Sequence, residues 1–217
     1  MSKVCVYTFS VSDDGFGAGL DQDLQNPIGV GGTALHQWIF ATKTGRAMIG
    51  ESGGDEGIDE AHFKRNLEAP GSVIMGRNMF GPIRGPWGAS DWRGWWGEDP
   101  PFHRPVFVLT HFARPDLVMG ETTFRFVTDG PVEALRRARE AAGDGDVTVG
   151  GGVATIRQLL DARLIDELHL AVVPITLGAG ERLLDAAGVW PEGYEVRAEV
   201  AGEGVTHVEL ARAGDRG

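Results

Sequence analysis

Three short segments of this chain carry groups suited to gripping an anion. Val149-Gly150-Gly151-Gly152-Val153 follows a β-rich run and opens a helical pattern. Glycines at such a junction let backbone N–H groups approach a ligand closely, and a helix N-terminus favours negative charge. The same glycines also suit a tight turn or close packing, so the segment alone leaves both readings open. Gly76-Arg77-Asn78-Met79-Phe80 closes another apolar run. Arg77 offers a planar, permanently charged fork that matches phosphate, or else a solvated cation at a turn. Thr110-His111 ends a third run, where a hydroxyl and an imidazole can line the same ligand. Phosphate-compatible groups at three consecutive strand ends weigh more than any one of them.

Other chemistries lack their residues. There is no G-x-x-x-x-G-K-[ST] for a P-loop and no G-x-S-x-G for a hydrolase elbow. The first strand is not followed by G-x-G-x-x-G, and Gly29-Val30-Gly31-Gly32 is a weak substitute. His36, His62, His103, His111, His169 and His207 show neither H-x-x-x-H nor H-E-x-x-H spacing, so spacing indicates no metal site. The single cysteine, Cys5, sits in an apolar run and reads as a buried, inert thiol, which fits a cytoplasmic protein. With 31 acidic against 20 basic residues, a net charge of −11 and no basic run, nucleic acid is not an expected partner. A local basic pocket for one phosphorylated ligand is still allowed. No apolar stretch reaches the ~18 residues of a membrane span, and Met1–Cys5 lacks a signal-peptide shape.

These segments need a scaffold, and 42% hydrophobic with 24% charged residues is the balance of a globular core. Lys3–Val11 alternates as a strand, and a glycine- and aspartate-bearing loop follows to Gly32. Thr33–Lys43 reads as a helix capped by Thr33, with Leu35, Trp38 and Ile39 on one face. Arg46–Gly57 reads as a solvated loop. Ile58–Glu68 is a second helix, with Asp59 and Glu60 suiting its N-terminal dipole and Pro70-Gly71 stopping it. Strands are expected at Ser72–Met75, Val106–Thr110, Phe124–Thr128, Asp146–Val149 and Ile165–Val173. Helices are expected at Pro131–Ala142 and Val153–Arg163. Tyr194–Ala201 and Thr206–Arg212 pair as a hairpin around Gly202-Glu203-Gly204. The alternation argues an α/β fold in one domain spanning 1–217: a mixed, mostly parallel sheet with a C-terminal antiparallel hairpin. Ligands of such sheets bind beyond the carboxyl ends of the strands.

The order of Ser72–Phe80 (SVIMGRNMF), Val108–His111 (VLTH), Val149–Gly152 (VGGG), Leu164–Leu170 (LIDELHL) and Pro174–Gly180 (PITLGAG) resembles a known family. It is similar to the dihydrofolate reductase-like superfamily, in the branch of the reductase (C-terminal) domain of bacterial riboflavin biosynthesis proteins. The resemblance runs from Val4 to about Leu210. It implies a three-layer fold, an eight-stranded mixed sheet and NADPH bound across the strand ends. Carried onto this sequence, Arg77 meets the 2′-phosphate, Asn78 lies near the pyrophosphate, and Gly76 belongs to the same cofactor-binding segment. Thr110 and His111 border the adenosine ribose phosphate. Gly150, Gly151 and Gly152, with Val153, Ala154 and Thr155, cradle the pyrophosphate, with a cis peptide between the first two glycines. Val11 and the Asp14-Gly15-Phe16-Gly17 loop contact the nicotinamide. The implied activity is hydride transfer to a small planar heterocycle, pterin- or pyrimidine-like, for which the cofactor supplies the chemistry. A homodimer is also implied, and Val196, Val200, Val205 and Val208 are available to pack against a second subunit.

One departure leaves a second reading open. Dihydrofolate reductases carry a carboxylate on the first helix, whereas Thr33–Lys43 contains no Asp or Glu. His36 is the nearest candidate proton donor, and Gln37 a candidate hydrogen-bonding group for the substrate. A nucleotide-binding protein that keeps the fold without catalysis fits the same absence. A purely structural protein would bind no NADPH at all. Within the long Gly81–Pro105 excursion, Trp87, Trp92, Trp95 and Trp96 alternate with Arg84, Asp91 and Arg93. They read either as a lid, with Trp95 and Trp96 touching a flat substrate, or as a small satellite core.

Overall fold

The computed structural model describes residues 2–68, 71–82, 84–88, 91–185 and 189–214. In chain order its strands are β1 (Val4–Ser12), β2 (Phe16–Ala18), β3 (Gly71–Gly76), β4 (Pro105–Leu109), β5 (Leu117–Met119) and β6 (Thr122–Val127). They continue as β7 (Asp146–Gly151), β8 (Glu167–Val173), β9 (Glu181–Arg182), β10 (Tyr194–Ala201) and β11 (Thr206–Arg212). Helices are α1 (Gln37–Ala41), α2 (Lys43–Met48), α3 (Ile58–Glu68), α4 (Arg77–Phe80), α5 (Pro131–Ala142) and α6 (Val153–Asp161). The chain packs as two compact units, residues 1–5 with 69–165 and residues 6–68 with 166–217.

In the first unit the strand order is β1-β7-β3-β4-β6-β5. β7, β3, β4 and β6 run parallel, β1 enters through Val4 and Cys5 opposite Val147 and Thr148, and β5 closes the edge antiparallel. Val73, Ile74, Met75, Val106, Phe107 and Val108 are all buried. Such unbroken apolar runs are what a parallel sheet covered on both faces requires. Helix α5 has Pro131 in its first turn and buries Ala134, Leu135 and Ala138, the face that lies on the sheet. Cys5 is buried, as its surroundings in the sequence imply.

In the second unit the order is β10-β11-β8-β1, with β11 antiparallel to both neighbours. Leu35, Trp38, Phe63, Ala171, Val173 and Val205 make its core, and Trp38 also donates from Nε1 to Ser10 Oγ at 3.0 Å. Together the two orders form the mixed, mostly parallel sheet and C-terminal hairpin of the expected α/β class. They share β1 and, among the described residues, contain nine strands, not eight. The strands β2, β5 and β9 have three residues or fewer, too short to leave a periodic pattern.

The expected helix over Thr33–Lys43 is instead a 3-10 turn at Gly32–His36 followed by α1 and α2. Thr33 caps nothing; Thr42 does. Thr42 is extended, with ψ 157°, and its Oγ1 accepts from the Gly45 N–H at 3.0 Å to start α2. A Cβ at Gly45 would collide with the Ile39 carbonyl, so the break depends on that glycine. Consequently Arg46–Met48 is helical rather than loop. Of the four valines available for a partner, Val205 and Val208 are buried within their own unit, and only Val196 and Val200 are exposed. Pro70, read as a helix stop, lies outside the described residues. Among the described residues, no helix is long and apolar enough to cross a membrane.

Candidate active site

The three phosphate-compatible segments fall in the first unit, at the ends of β3, β4 and β7. Gly76 ends β3, and a Cβ there would come within 2.5 Å of Thr155 Oγ1 in the first turn of α6. Glycine is what allows this close approach. Arg77 then begins α4. Its guanidinium carbon lies 3.7 Å from the centre of the Trp87 ring and 5.5 Å from that of Phe112. Nη1 donates to Thr110 Oγ1 at a long 3.4 Å, while Nε and Nη2 are buried with no protein partner. Burial, then the nearby Arg84 and Arg114, lower its pKa from the usual arginine value. A guanidinium held dry among aromatic rings with donors left over is poised for an anion.

The segment after β4 fixes that arrangement. Thr110 Oγ1 accepts from the Phe112 N–H at 3.2 Å, and the Phe112 carbonyl accepts from Trp87 Nε1 at 2.8 Å. His111 is exposed and Asn78 half-buried. Arg114, which the sequence did not single out, stacks 5.0 Å from the Trp87 centre and leaves Nη1 buried without a partner. Two arginines, Arg77 and Arg114, therefore flank one tryptophan, with Arg84 near Arg77, in a chain of net charge −11. This is the local basic pocket that overall composition could neither show nor exclude.

Gly150 and Gly151 end β7, and Gly152 is the N-cap of α6. The cis peptide joins Gly151 to Gly152, the last two of the triplet and not the first two. Gly151 has φ 129°, a region that favours glycine. A Cβ on Gly152 would meet nothing within 4 Å, so the space above it is open. No side chain caps α6, whereas the N–H groups of Thr155 and Ile156 already bond the Gly152 carbonyl. Val153 and Ala154 then supply first-turn N–H groups at the positive end of the helix. Val153 and Thr155 are buried and Ala154 is exposed. The residues present fit a dinucleotide: open backbone donors for one phosphate, and an arginine with unmet hydrogen bonds for another.

The excursion is pinned by its own rings. Trp92 donates from Nε1 to the Phe80 carbonyl at 2.9 Å, and Trp95 meets Trp92 edge-on at 4.7 Å. Trp96 packs edge-on against Phe102 at 4.8 Å and parallel to Phe124 at 5.9 Å. These contacts are those of the satellite core; Trp95 and Trp96 both stay half-buried.

The other candidates lie in the second unit. Val11, Phe16 and Gly17 are buried, and Phe16 carries the Arg182 guanidinium 4.1 Å from its ring centre. The Asp14 carboxylate accepts from Ser12 Oγ at 2.6 Å, Gly178 N–H at 2.7 Å and Leu177 N–H at 3.1 Å. Burial raises its pKa, but these hydrogen bonds together outweigh it and leave it lowered. Gln37 is exposed at the start of α1. His36 is half-buried, its Nδ1 is enclosed without a partner, and desolvation pushes its pKa down to about 4. At neutral pH it is a neutral imidazole, so the imidazolium required of a proton donor is scarce.

That shift has a consequence for stability. The folded-state pKa lies below the unfolded value near 6.5, so the unfolded chain binds the extra proton between them. Stability from this group is full above pH 6.5 and falls as the pH drops toward about 4, by roughly 3 kcal/mol at most. Urea melts of the wild type and His36→Gln across that range should show a shallower acid slope in the variant. Equal slopes would show that His36 does not carry it.

The fold is α/β, a mixed, mostly parallel sheet with a C-terminal antiparallel hairpin and phosphate-compatible groups at its strand ends. The chain belongs to the RibD C-terminal domain family, which matches residues 4–206 and is the reductase domain of riboflavin biosynthesis. No curated protein matches it. A crystallised protein from Shewanella sp. PV-4, provisionally assigned to riboflavin biosynthesis, is similar over 98% of this chain and 99% of its own. Its TM-score is 0.59 and its identity 20%, a likeness that shows the fold.

Proposed function

We propose that the protein is an NADPH-dependent reductase that delivers a hydride to a small planar heterocycle of the pterin or pyrimidine kind. The observation that carries this is Arg77, held dry against Trp87 with two donor atoms unpartnered beside Thr110. It supports a contact to the 2′-phosphate that distinguishes NADPH from NADH. Gly150, Gly151 and Gly152, with the first-turn N–H groups of Val153 and Ala154, would hold the pyrophosphate. When bound, the cofactor supplies the hydride; the protein's part is to hold it, orient it and keep water out. A cytoplasmic homodimer belongs to the same reading, with Val196 and Val200 as the apolar contribution of β10.

The segment Gly32–Met48 contains no carboxylate, and this favours a second reading in which the nucleotide binds and no substrate is reduced. One assay separates the two: the protein is incubated with NADPH or NADH and a panel of pterins and pyrimidines, following the cofactor's near-ultraviolet absorbance. Acceptor-dependent loss of NADPH is the expected result. Binding with no oxidation by any acceptor selects the second reading, and failure to bind either nucleotide overturns both.

A further inference from the structure

We propose that His62, His169 and His207 form a site for one transition-metal dication of the zinc class. They come from α3, β8 and β11 of the second unit, and one ring nitrogen from each lies within 4.8 Å of the others. The His62 ring stacks on His207 at 4.1 Å and 23°, and lies 4.5 Å from His169. His169 and His207 are buried, while the His62 side chain is 18% exposed and gives an ion a way in. Their separation along the chain hides the cluster from any spacing motif.

The hydrogen bonds assign the tautomers. The Thr8 N–H points at His169 Nδ1 at 3.3 Å, so that nitrogen is an acceptor and the ring's proton sits on Nε2. His169 Nε2 therefore donates to His207 Nδ1 at 3.0 Å, and His207 Nε2 donates to Asp59 Oδ1 at 2.9 Å. The other Asp59 oxygen accepts from the Gly204 N–H at 2.7 Å. A buried carboxylate on the far nitrogen of a histidine is the support that metal-ligating imidazoles use. It leaves the His207 Nδ1 lone pair facing His169. Two nitrogens sharing a tetrahedral ion at about 2.0–2.1 Å sit roughly 3.3 Å apart, so this pair has to open by a few tenths of an ångström and turn its lone pairs off the line between them.

A hydrogen-bonded chain explains Asp59, His207 and His169 without an ion, but gives His62 no task. Its ring makes no hydrogen bond among the described residues, and Glu209 Oε1, its nearest carboxylate oxygen, is 4.0 Å from Nδ1 and already paired with Arg65 at 3.0 Å. Three neutral imidazoles suit zinc and its neighbours, and the Asp59 carboxylate offsets part of the ion's charge. The exposed side of His62 leaves the fourth position to water.

Besides these side-chain shifts, binding requires a change in the backbone. An ion on His169 Nε2 moves that ring's proton to Nδ1, with no net proton released, and Nδ1–H then confronts the Thr8 N–H. Thr8 has φ 53°, an outlier for a β-branched residue. Turning over the Tyr7–Thr8 peptide presents the Tyr7 carbonyl to His169 Nδ1–H and takes Thr8 out of the positive-φ region.

The test is a titration of chelator-treated protein with Co2+, without nucleotide, so its outcome is independent of the NADPH reading. One Co2+ per chain with the visible absorption of a tetrahedral centre, displaced by Zn2+, is expected, together with a higher melting temperature in Zn2+. His62→Ala keeps the Asp59–His207–His169 chain and should bind Co2+ at least roughly tenfold more weakly. Should that variant not fold, His62→Gln, which keeps a polar side chain but no imidazole, serves in its place. No tetrahedral spectrum in the wild type, or equal binding by the folded variant, overturns the proposal and leaves a hydrogen-bond chain.

Discussion

Replacing Arg77 with alanine should weaken NADPH binding by roughly ten- to a hundredfold while leaving NADH almost unchanged. A charge-assisted contact to phosphate contributes about 1.5–3 kcal/mol, and each 1.4 kcal/mol is a factor of ten. The contact at Arg77 should sit within that range. The guanidinium is already desolvated and stacked on Trp87, so little of its binding energy is spent on ordering the side chain. Nε and Nη2 have no protein partner to give up. Lysine cannot reproduce the planar stack, so Arg77→Lys should recover only part of the loss. Calorimetry is the better readout than fluorescence, because the substitution also changes the environment of Trp87 itself. An equal loss for NADH would mean that Arg77 meets a phosphate common to both nucleotides. No loss for either would remove the observation on which the reductase reading rests.

The parts of the molecule that sequence revealed are those whose partners are near in the chain or whose pattern is long. The bounds of α3, α5 and the β10–β11 hairpin agree with expectation, because each spans seven or more residues and is bounded by local signals such as Asp59 and Glu60, Pro131 and Gly202-Glu203-Gly204. Arg77 and the glycine triplet were visible because a strand end followed by glycine or arginine is a local signal. The α1–α2 break was not, since it turns on the approach of Gly45 to the Ile39 carbonyl. Arg114 joins Arg77 only through Trp87, a contact made by the excursion's fold. Asp59 was legible only in part. It stands in the first turn of α3 as expected, but its second task was hidden: it is 3% exposed and bonded to a histidine 148 residues away.

Asp59→Ala should cost about 3 kcal/mol of stability, measured in chelator so that no metal contributes. The substitution leaves the His207 Nε2–H and Gly204 N–H donors buried without an acceptor, at about 1–3 kcal/mol each. Asp59→Asn is the informative control. Its single carbonyl oxygen can satisfy one donor, while its NH2 group faces the other. If the oxygen keeps Gly204, the NH2 must donate to His207 Nε2, and this reverses both histidine tautomers. His169 Nδ1 then carries a proton against the Thr8 N–H, so the mismatch moves along the chain rather than disappearing. The asparagine variant should therefore fall between wild type and alanine, losing about 1–2 kcal/mol. Urea melts with unchanged m-values measure both losses. A loss below about 1 kcal/mol in the alanine variant would mean that water reaches these donors. In that case neither the buried chain nor the carboxylate support behind His207 exists as described.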